Sequence, residues 1–205
     1  MKVLLINGSP HPKGSTFKGL YQMEEIFKEN GIETEIVNVP ASTEGCLACG
    51  YCHKNNKCVK DDLVNKVAEK LDEVDALVVG SPVYYAGISG SLKSFLDRLF
   101  YSASNKLKLK AAAAITVSRR AGNLPSFDQI NKYFLINNMF VVGSGYWNEF
   151  HAAKPEEVSL DLEGIDTLKQ LSINMIYIMK AMDIAKENGL DKPDIMPKNY
   201  TNFIR

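Results

Sequence analysis

The sequence predicts a doubly wound α/β domain, a five-stranded parallel sheet in the order 2-1-3-4-5 with helices on both faces and a cysteine-rich loop after the second strand. Three observations carry that expectation. Short apolar runs alternate along the chain with longer stretches of helical period, the pattern of strands joined by crossover helices. The length of 205 residues suits one domain, residues 1–205, that buries a substantial core. At 45% hydrophobic and 23% charged residues the composition is that of a globular protein, with no repeat, low-complexity tract or linker.

Lys2 to Asn7 reads as the first, buried strand. Phe17, Leu20, Met23, Ile26 and Phe27 recur at helical spacing between Ser15 and Asn30, and Asn30-Gly31 marks the helix end. Glu33 to Val39 mixes charged and apolar residues, which suits a sheet edge. After the cysteine loop, residues 44–60, Asp61 and Asp62 begin a helix whose dipole they complement, and Leu63, Val67, Leu71 and Val74 form its stripe. Ala76 to Gly80 is the third strand, followed by a helix carrying Leu92, Phe95, Leu96 and Leu99. Ala111 to Val117 is the fourth strand, with a helix from about Pro125 to Asn137. Phe140 to Gly143 is the fifth strand, and the last helix lies within Ile165 to Asn188. Residues 146–164 are polar and aromatic without a clear period and read as an irregular excursion.

Charge narrows the function classes. Lys plus Arg and Asp plus Glu both number 24, so no basic footprint points to nucleic acid or an acidic membrane. No apolar run approaches the roughly 18 residues of a membrane span. The apolar start is also too brief for a secretory signal, whose central region needs about 7–15 residues. The expected setting is the cytoplasm, where thiols stay reduced and clustered cysteines point to metal or redox chemistry before disulfides.

In a sheet of this order ligands bind beyond the carboxyl ends of the strands, at the switch point between strands 1 and 3. The first loop there reads Gly8-Ser9-Pro10-His11-Pro12-Lys13-Gly14-Ser15-Thr16. Hydroxyls and free backbone N–H groups at a helix N-terminus suit a phosphate. The loop is neither a dinucleotide fingerprint nor a Walker loop, because it lacks G-x-G-x-x-G and its lysine precedes glycine. An ordinary strand-to-helix turn uses the same residue types. The second loop, Ser81-Pro82-Val83-Tyr84-Tyr85-Ala86-Gly87, offers an apolar and aromatic wall for a flat ring, although its tyrosines also suit a core or an interface. The third, Ser118-Arg119-Arg120-Ala121-Gly122, brings two guanidiniums that equally suit a solvated surface. Converging on one crevice, the three loops suit a mononucleotide with a flat ring, and flavin mononucleotide (FMN) meets both requirements.

All four cysteines lie in the run Cys46-x2-Cys49-x2-Cys52-x5-Cys58. Three thiolates two residues apart can wrap one face of a 4Fe-4S cubane, and a fourth from beyond a bend can close it. With no other cysteine in the chain, all four serve one site or none. A four-thiolate zinc site is the structural alternative, usually built from two C-x2-C pairs across a longer insert. A loop of reduced thiols is the third. His53 lies within the run as a bystander to four complete ligands.

The stretches "INGSPHPKGST", "VVGSPVYYAGISGSLKSFLDR" and "SRRAGN" resemble the NAD(P)H-dependent FMN reductase group of the flavodoxin-like superfamily. With the cysteine segment included, the chain resembles the iron–sulfur flavoproteins almost end to end, including "DLEGIDTL" and the terminal "TNFIR". The resemblance implies a flavodoxin-like fold and non-covalent FMN. It places the phosphate on Ser9, His11, Gly14, Ser15 and Thr16, and the isoalloxazine against Pro82 to Tyr85 and Ser118 to Gly122. It departs from many relatives at His11, where they carry arginine. It also implies a homodimer or homotetramer in which a neighbour's loops complete the flavin site.

The favoured function is therefore an FMN-dependent oxidoreductase passing electrons between flavin and a 4Fe-4S cluster, to a redox partner or a small-molecule acceptor. No side chain needs to act as acid or base; the flavin carries the chemistry. An NAD(P)H-dependent FMN or quinone reductase with a structural or empty cysteine loop is the alternative. A flavodoxin-like electron carrier is another, which the neutral net charge disfavours because a carrier usually presents an acidic docking face.

Overall fold

The computed structural model describes residues 1–196, 199 and 201, so positions 202–205 of the terminal "TNFIR" lie outside the described residues. In chain order the elements are β1 (Lys2–Asn7), α1 (Ser15–Glu29), β2 (Glu33–Asn38), α2 (Tyr51–Asn55), α3 (Leu63–Lys70) and β3 (Ala76–Pro82). They continue with α4 (Gly90–Ser102), β4 (Ala111–Ser118), α5 (Asn123–Ile136), β5 (Phe140–Val141), β6 (Glu149–His151) and α6 (Leu162–Glu187). The sheet is parallel in the order β2-β1-β3-β4-β5, as the sequence predicts, with β6 also on β4. Among the described residues no helix is long and apolar enough to cross a membrane.

Alternation along the strands divides the core into two layers. Leu4, Ile6, Leu77, Val79, Ala112 and Ala114 pack beneath α3, α4 and α5 through Val64, Val67, Phe95, Leu96, Leu99 and Phe134. Val3, Leu5, Val78, Ala113 and Ile115 face α1 and α6 through Leu20, Met23, Phe27, Leu171 and Met175. Both faces of the central strands are covered, which is why they read as continuous apolar runs. At the edge β2 keeps a single buried residue, Val37, and carries the charged alternation expected of an edge. The Asn30-Gly31 signal operates as read: Gly31 takes φ +72°, and the Ile32 N–H reaches back to the Phe27 carbonyl.

Two expectations need correction. The fifth strand is not the continuous run Phe140 to Gly143. Phe140 and Val141 pair with Ala111 and Ala112, the chain leaves the sheet, and Glu149 to His151 return beside Thr116 to Ser118. Asn148 closes the neck of this detour, its Nδ2 donating to the Val142 carbonyl at 3.3 Å while its own carbonyl accepts from Thr116 N–H at 3.1 Å. Residues 146–164 are accordingly not an irregular excursion, since they supply β6, a 3-10 turn at Pro155–Leu160 and the start of α6. Three residues are too few to show alternation, and so the strand leaves no period in the sequence. Separately, the cysteine loop contains the single helical turn α2, which buries none of its residues.

What anchors β6 is Phe150, 1% exposed, lodged between α1 and α6 where both helices carry glycine. A Cβ at Gly19 would lie 2.4 Å from the Phe150 ring, and one at Gly164 would lie 2.5 Å from Phe150 Cβ. Gly19→Ala therefore sets an overpacking cost of about 1–3 kcal/mol against a helix-propensity gain of roughly 1 kcal/mol. Urea unfolding is expected to show a net loss of about 1 kcal/mol. An unchanged or higher midpoint would show that the ring yields freely.

Candidate functional site

Two cavities carry the residues of interest. The first lies beyond the carboxyl ends of β1, β3 and β4 and is lined by Ser9, His11, Gly14, Ser15, Thr16, Pro82, Val83 and Tyr84 of the expected set. Its volume of about 470 Å³ falls within the usual range for a small-molecule site. The floor is set by backbone approach. Gly8 N–H donates to the Gly80 carbonyl at 2.8 Å, and a Cβ on Gly8 would sit 2.4 Å from Leu92 Cδ2. Only glycine lets the first loop lie that close to α4.

Asn7, fully buried at the end of β1, organises the loop. Its Nδ2 donates to Asn38 Oδ1 at 2.7 Å and its Oδ1 accepts from Ser9 N–H at 3.1 Å. Ser9 Oγ then accepts from His11 N–H at 3.1 Å, and the His11 carbonyl accepts from Gly14 N–H at 3.0 Å. This places Gly14 at the N-terminus of α1 with no side-chain cap and no acidic residue in the first turn. Thr16 Oγ1 is buried without a hydrogen-bond partner. Uncapped N–H groups, the positive end of a helix dipole and an orphaned hydroxyl together fit an anion such as a phosphate.

The wall opposite is a strained turn. Tyr84 and Gly87 exchange two hydrogen bonds of 2.9 Å, and the residues between them, Tyr85 and Ala86, take φ of +48° and +56°. Such tight turns normally use Asn and Gly, and non-glycine residues held this way concentrate at ligand sites. The turn carries Tyr85 out of the crevice to complete exposure. Ser118, Arg119, Arg120 and Gly122 also do not line the crevice; both arginines are exposed, and Gly122 braces the turn instead. At φ +93° it has its Cα so close to Val83 and Ala86 that a Cβ would meet Val83 Cγ1 at 2.9 Å. The crevice is completed by residues that the sequence reading missed, Pro12, Lys13, Val117, Ala152, Ala153 and Pro155. The last three arrive because β6 pairs with β4.

The second cavity, about 510 Å³, is lined by all four cysteines together with His53, Lys60, Arg98, Tyr101 and Ser102. All four thiols are free; Cys46 and Cys49 are exposed, and Cys52 and Cys58 are half-buried. Burial, with the neighbouring sulfurs adding to it, pushes the Cys52 thiol pKa up. Ala48, Gly50 and Asn56 adopt positive φ, which folds the segment back on itself. Ala48 N–H points at Cys46 Sγ at 3.4 Å, and Arg98 Nε donates to Cys58 Sγ at 3.2 Å. Four thiols lining one cavity, with N–H groups aimed at two of the sulfurs, have the donor chemistry of an iron–sulfur group. Among the described residues no three His, Cys, Asp or Glu side chains are gathered as a group that could hold a metal ion. Arg98 was also missed from sequence, although a charge three residues after Phe95, within the apolar stripe of α4, is a readable signal.

A parallel sheet of this order, with an uncapped helix N-terminus at its switch point, is the architecture of a flavodoxin-like protein. Comparison makes this more specific. Residues 1–154 match the family model for NADPH-dependent FMN reductases, and the chain belongs to that family. An iron–sulfur flavoprotein of Methanocaldococcus jannaschii is 32% identical over 88% of this chain and 98% of its own. An iron–sulfur flavoprotein of Methanosarcina thermophila is 29% identical, covering 88% and 96%. In fold the chain is similar to RosB, solved with a bound 8-demethyl-8-formylriboflavin-5′-phosphate intermediate, at TM-score 0.72 and 16% identity over 100% of this chain and 94% of that one. An archaeal flavodoxin aligns at TM-score 0.60 and 16% identity, covering 88% and 99%. The protein is a flavin-dependent oxidoreductase.

Proposed function

We propose that this flavin enzyme is an iron–sulfur flavoprotein, with FMN in the crevice at the ends of β1, β3 and β4 and a 4Fe-4S cluster on Cys46, Cys49, Cys52 and Cys58. The observation that carries the reading is the pairing of an uncapped helix N-terminus in one cavity with every thiol of the chain in another. When bound, FMN exchanges one or two electrons and a cluster exchanges one, so together they link two-electron to one-electron chemistry.

The chain's own residues bind and orient. Ser15 and Thr16 offer hydroxyls, and the first turn of α1 offers backbone N–H groups, to the FMN phosphate. Ser9, His11 and Gly14 shape the cradle around it. Pro82, Val83 and Tyr84 supply the apolar surface for the ring, with the Gly122 loop holding the Tyr84 turn in place. No acid or base is required of a side chain. Arg119 and Arg120, both exposed, suit an anionic donor such as NAD(P)H arriving from solvent. Tyr85, wholly exposed on its turn, and the exposed Tyr146–Trp147 pair suit contact with a second subunit, in line with a homodimer or homotetramer. Free thiols require a reducing compartment, and the cytoplasm is the setting this reading takes.

The test is composition under anaerobic preparation. The expected result is about four iron and four sulfide per chain with FMN present. Cys58→Ser is expected to lose iron and sulfide while FMN stays. Stoichiometric zinc without sulfide would make the loop a structural staple and the protein a plain flavin reductase. In parallel, Ser15→Ala/Thr16→Val removes two hydroxyls with little change of shape. FMN affinity of the apoprotein, read by flavin fluorescence, is expected to fall about a hundredfold, on the scale of two hydrogen bonds to a charged group. An unchanged affinity would remove the phosphate from these residues.

A further inference from the structure

Arg98 is the largest fully buried side chain among the described residues, and its side chain is 1% exposed. A guanidinium has five N–H donors and no acceptor. Here five hydrogen bonds reach four residues, Glu44, Cys58 and Lys60 of the segment that carries the cysteines and Asp62 just after it. Nε donates to Cys58 Sγ at 3.2 Å. One terminal nitrogen donates to the Glu44 carbonyl at 3.3 Å and to Asp62 Oδ2 at 2.7 Å. The other donates to the Lys60 carbonyl at 3.4 Å and to Asp62 Oδ1 at 2.8 Å. One side chain on α4 thus ties the start of the segment, its fourth cysteine and its end to a single rigid point. Asn65 completes the hold on Cys58, its Oδ1 accepting from Cys58 N–H at 2.9 Å and its Nδ2 donating to the Cys58 carbonyl at 3.0 Å.

We infer that Arg98 is the positioning residue of the cysteine centre. It fixes Cys58 as the immobile ligand around which the other three cysteines close, and its N–H···S bond raises the reduction potential of the group they hold. This rests on the cluster reading above. Hydrogen bonds to the ligating sulfurs and local net charge are among the levers that set such potentials. Asp62 pairs with both terminal nitrogens and offsets the charge, which leaves the directed bond to Cys58 Sγ as the distinguishing feature. A compact ammonium cannot reproduce a five-point fork. Lysine in its place keeps a cation near Asp62 but loses the bond to sulfur.

The experiment compares wild type, Arg98→Lys and Arg98→Met, prepared anaerobically. Iron and sulfide are assayed, the cluster and flavin potentials are titrated separately, and amide hydrogen exchange is followed across residues 44–62. Arg98→Lys is expected to keep iron and sulfide but shift the cluster potential to more negative values, with flavin content and flavin potential unchanged. Arg98→Met is expected to speed exchange across 44–62 by about tenfold or more, the scale of losing charge-assisted hydrogen bonds, and to lose iron and sulfide. Wild-type exchange and wild-type cluster potential in both variants would overturn the inference, as would an equal shift of the flavin potential in Arg98→Lys. Absence of iron and sulfide from the wild type would overturn the cluster reading instead, and the clamp would then stand or fall on hydrogen exchange alone.

Discussion

A buried guanidinium must find an acceptor for each N–H, and Arg98 finds all of its acceptors in residues 44–62. That requirement organises the cysteine half of the molecule. The segment itself buries little: α2 contributes no buried residue, and two of the four cysteines are exposed. A segment with so little core of its own cannot hold a fixed shape by packing. It is shaped from outside, by an arginine whose backbone belongs to a helix seated on the sheet through Leu92, Phe95, Leu96 and Leu99. Removing its acceptors would leave Arg98 as an unpaired buried charge, a costly state, whereas Asp62 is 41% exposed and keeps solvent as a partner.

The same helix reaches the crevice at the strand ends. At its N-terminus the Ser89 hydroxyl donates to the Gly8 carbonyl at 2.5 Å and accepts from Leu92 N–H at 3.2 Å, which joins the cap of α4 to the first loop. Nine residues separate Ser89 from Arg98, about 14 Å along the axis. The crevice and the cysteine centre therefore share one rigid support. The two ends use opposite devices. In the crevice, polar groups are left without partners, at the first turn of α1 and at Thr16 Oγ1, so that a ligand can satisfy them. At the cysteines, the charged group is fully partnered so that the surrounding chain is held.

Most of the fold was legible in the sequence because it depends on periodicity. Strands such as Lys2–Asn7 and Ala111–Ser118 are buried on both faces and stand out as apolar runs, while α1 announces itself by spacing and by Asn30-Gly31. The fifth position was not legible, because its partition into two and three residues leaves no pattern to read. In the crevice, the first loop and Pro82 to Tyr84 could be placed because the sheet order dictates where strand ends converge. Tyr85, Arg119 and Arg120 could not, since side-chain direction in a loop depends on turn geometry. Two consecutive positive φ angles at Tyr85 and Ala86 are no part of any hydrophobic pattern. Arg98 escaped for the reverse reason: its helix was plain from Leu92, Phe95, Leu96 and Leu99, and nothing in that period says what a charge beside the stripe would bind.

The central claim is that one chain carries two redox groups on a common support, and electron counting tests it most directly. Stepwise anaerobic reduction of the purified protein, followed in the visible, is predicted to consume about three electron equivalents per chain, two for the flavin and one for the cluster. Uptake of only two, with the spectrum of flavin alone, would contradict it.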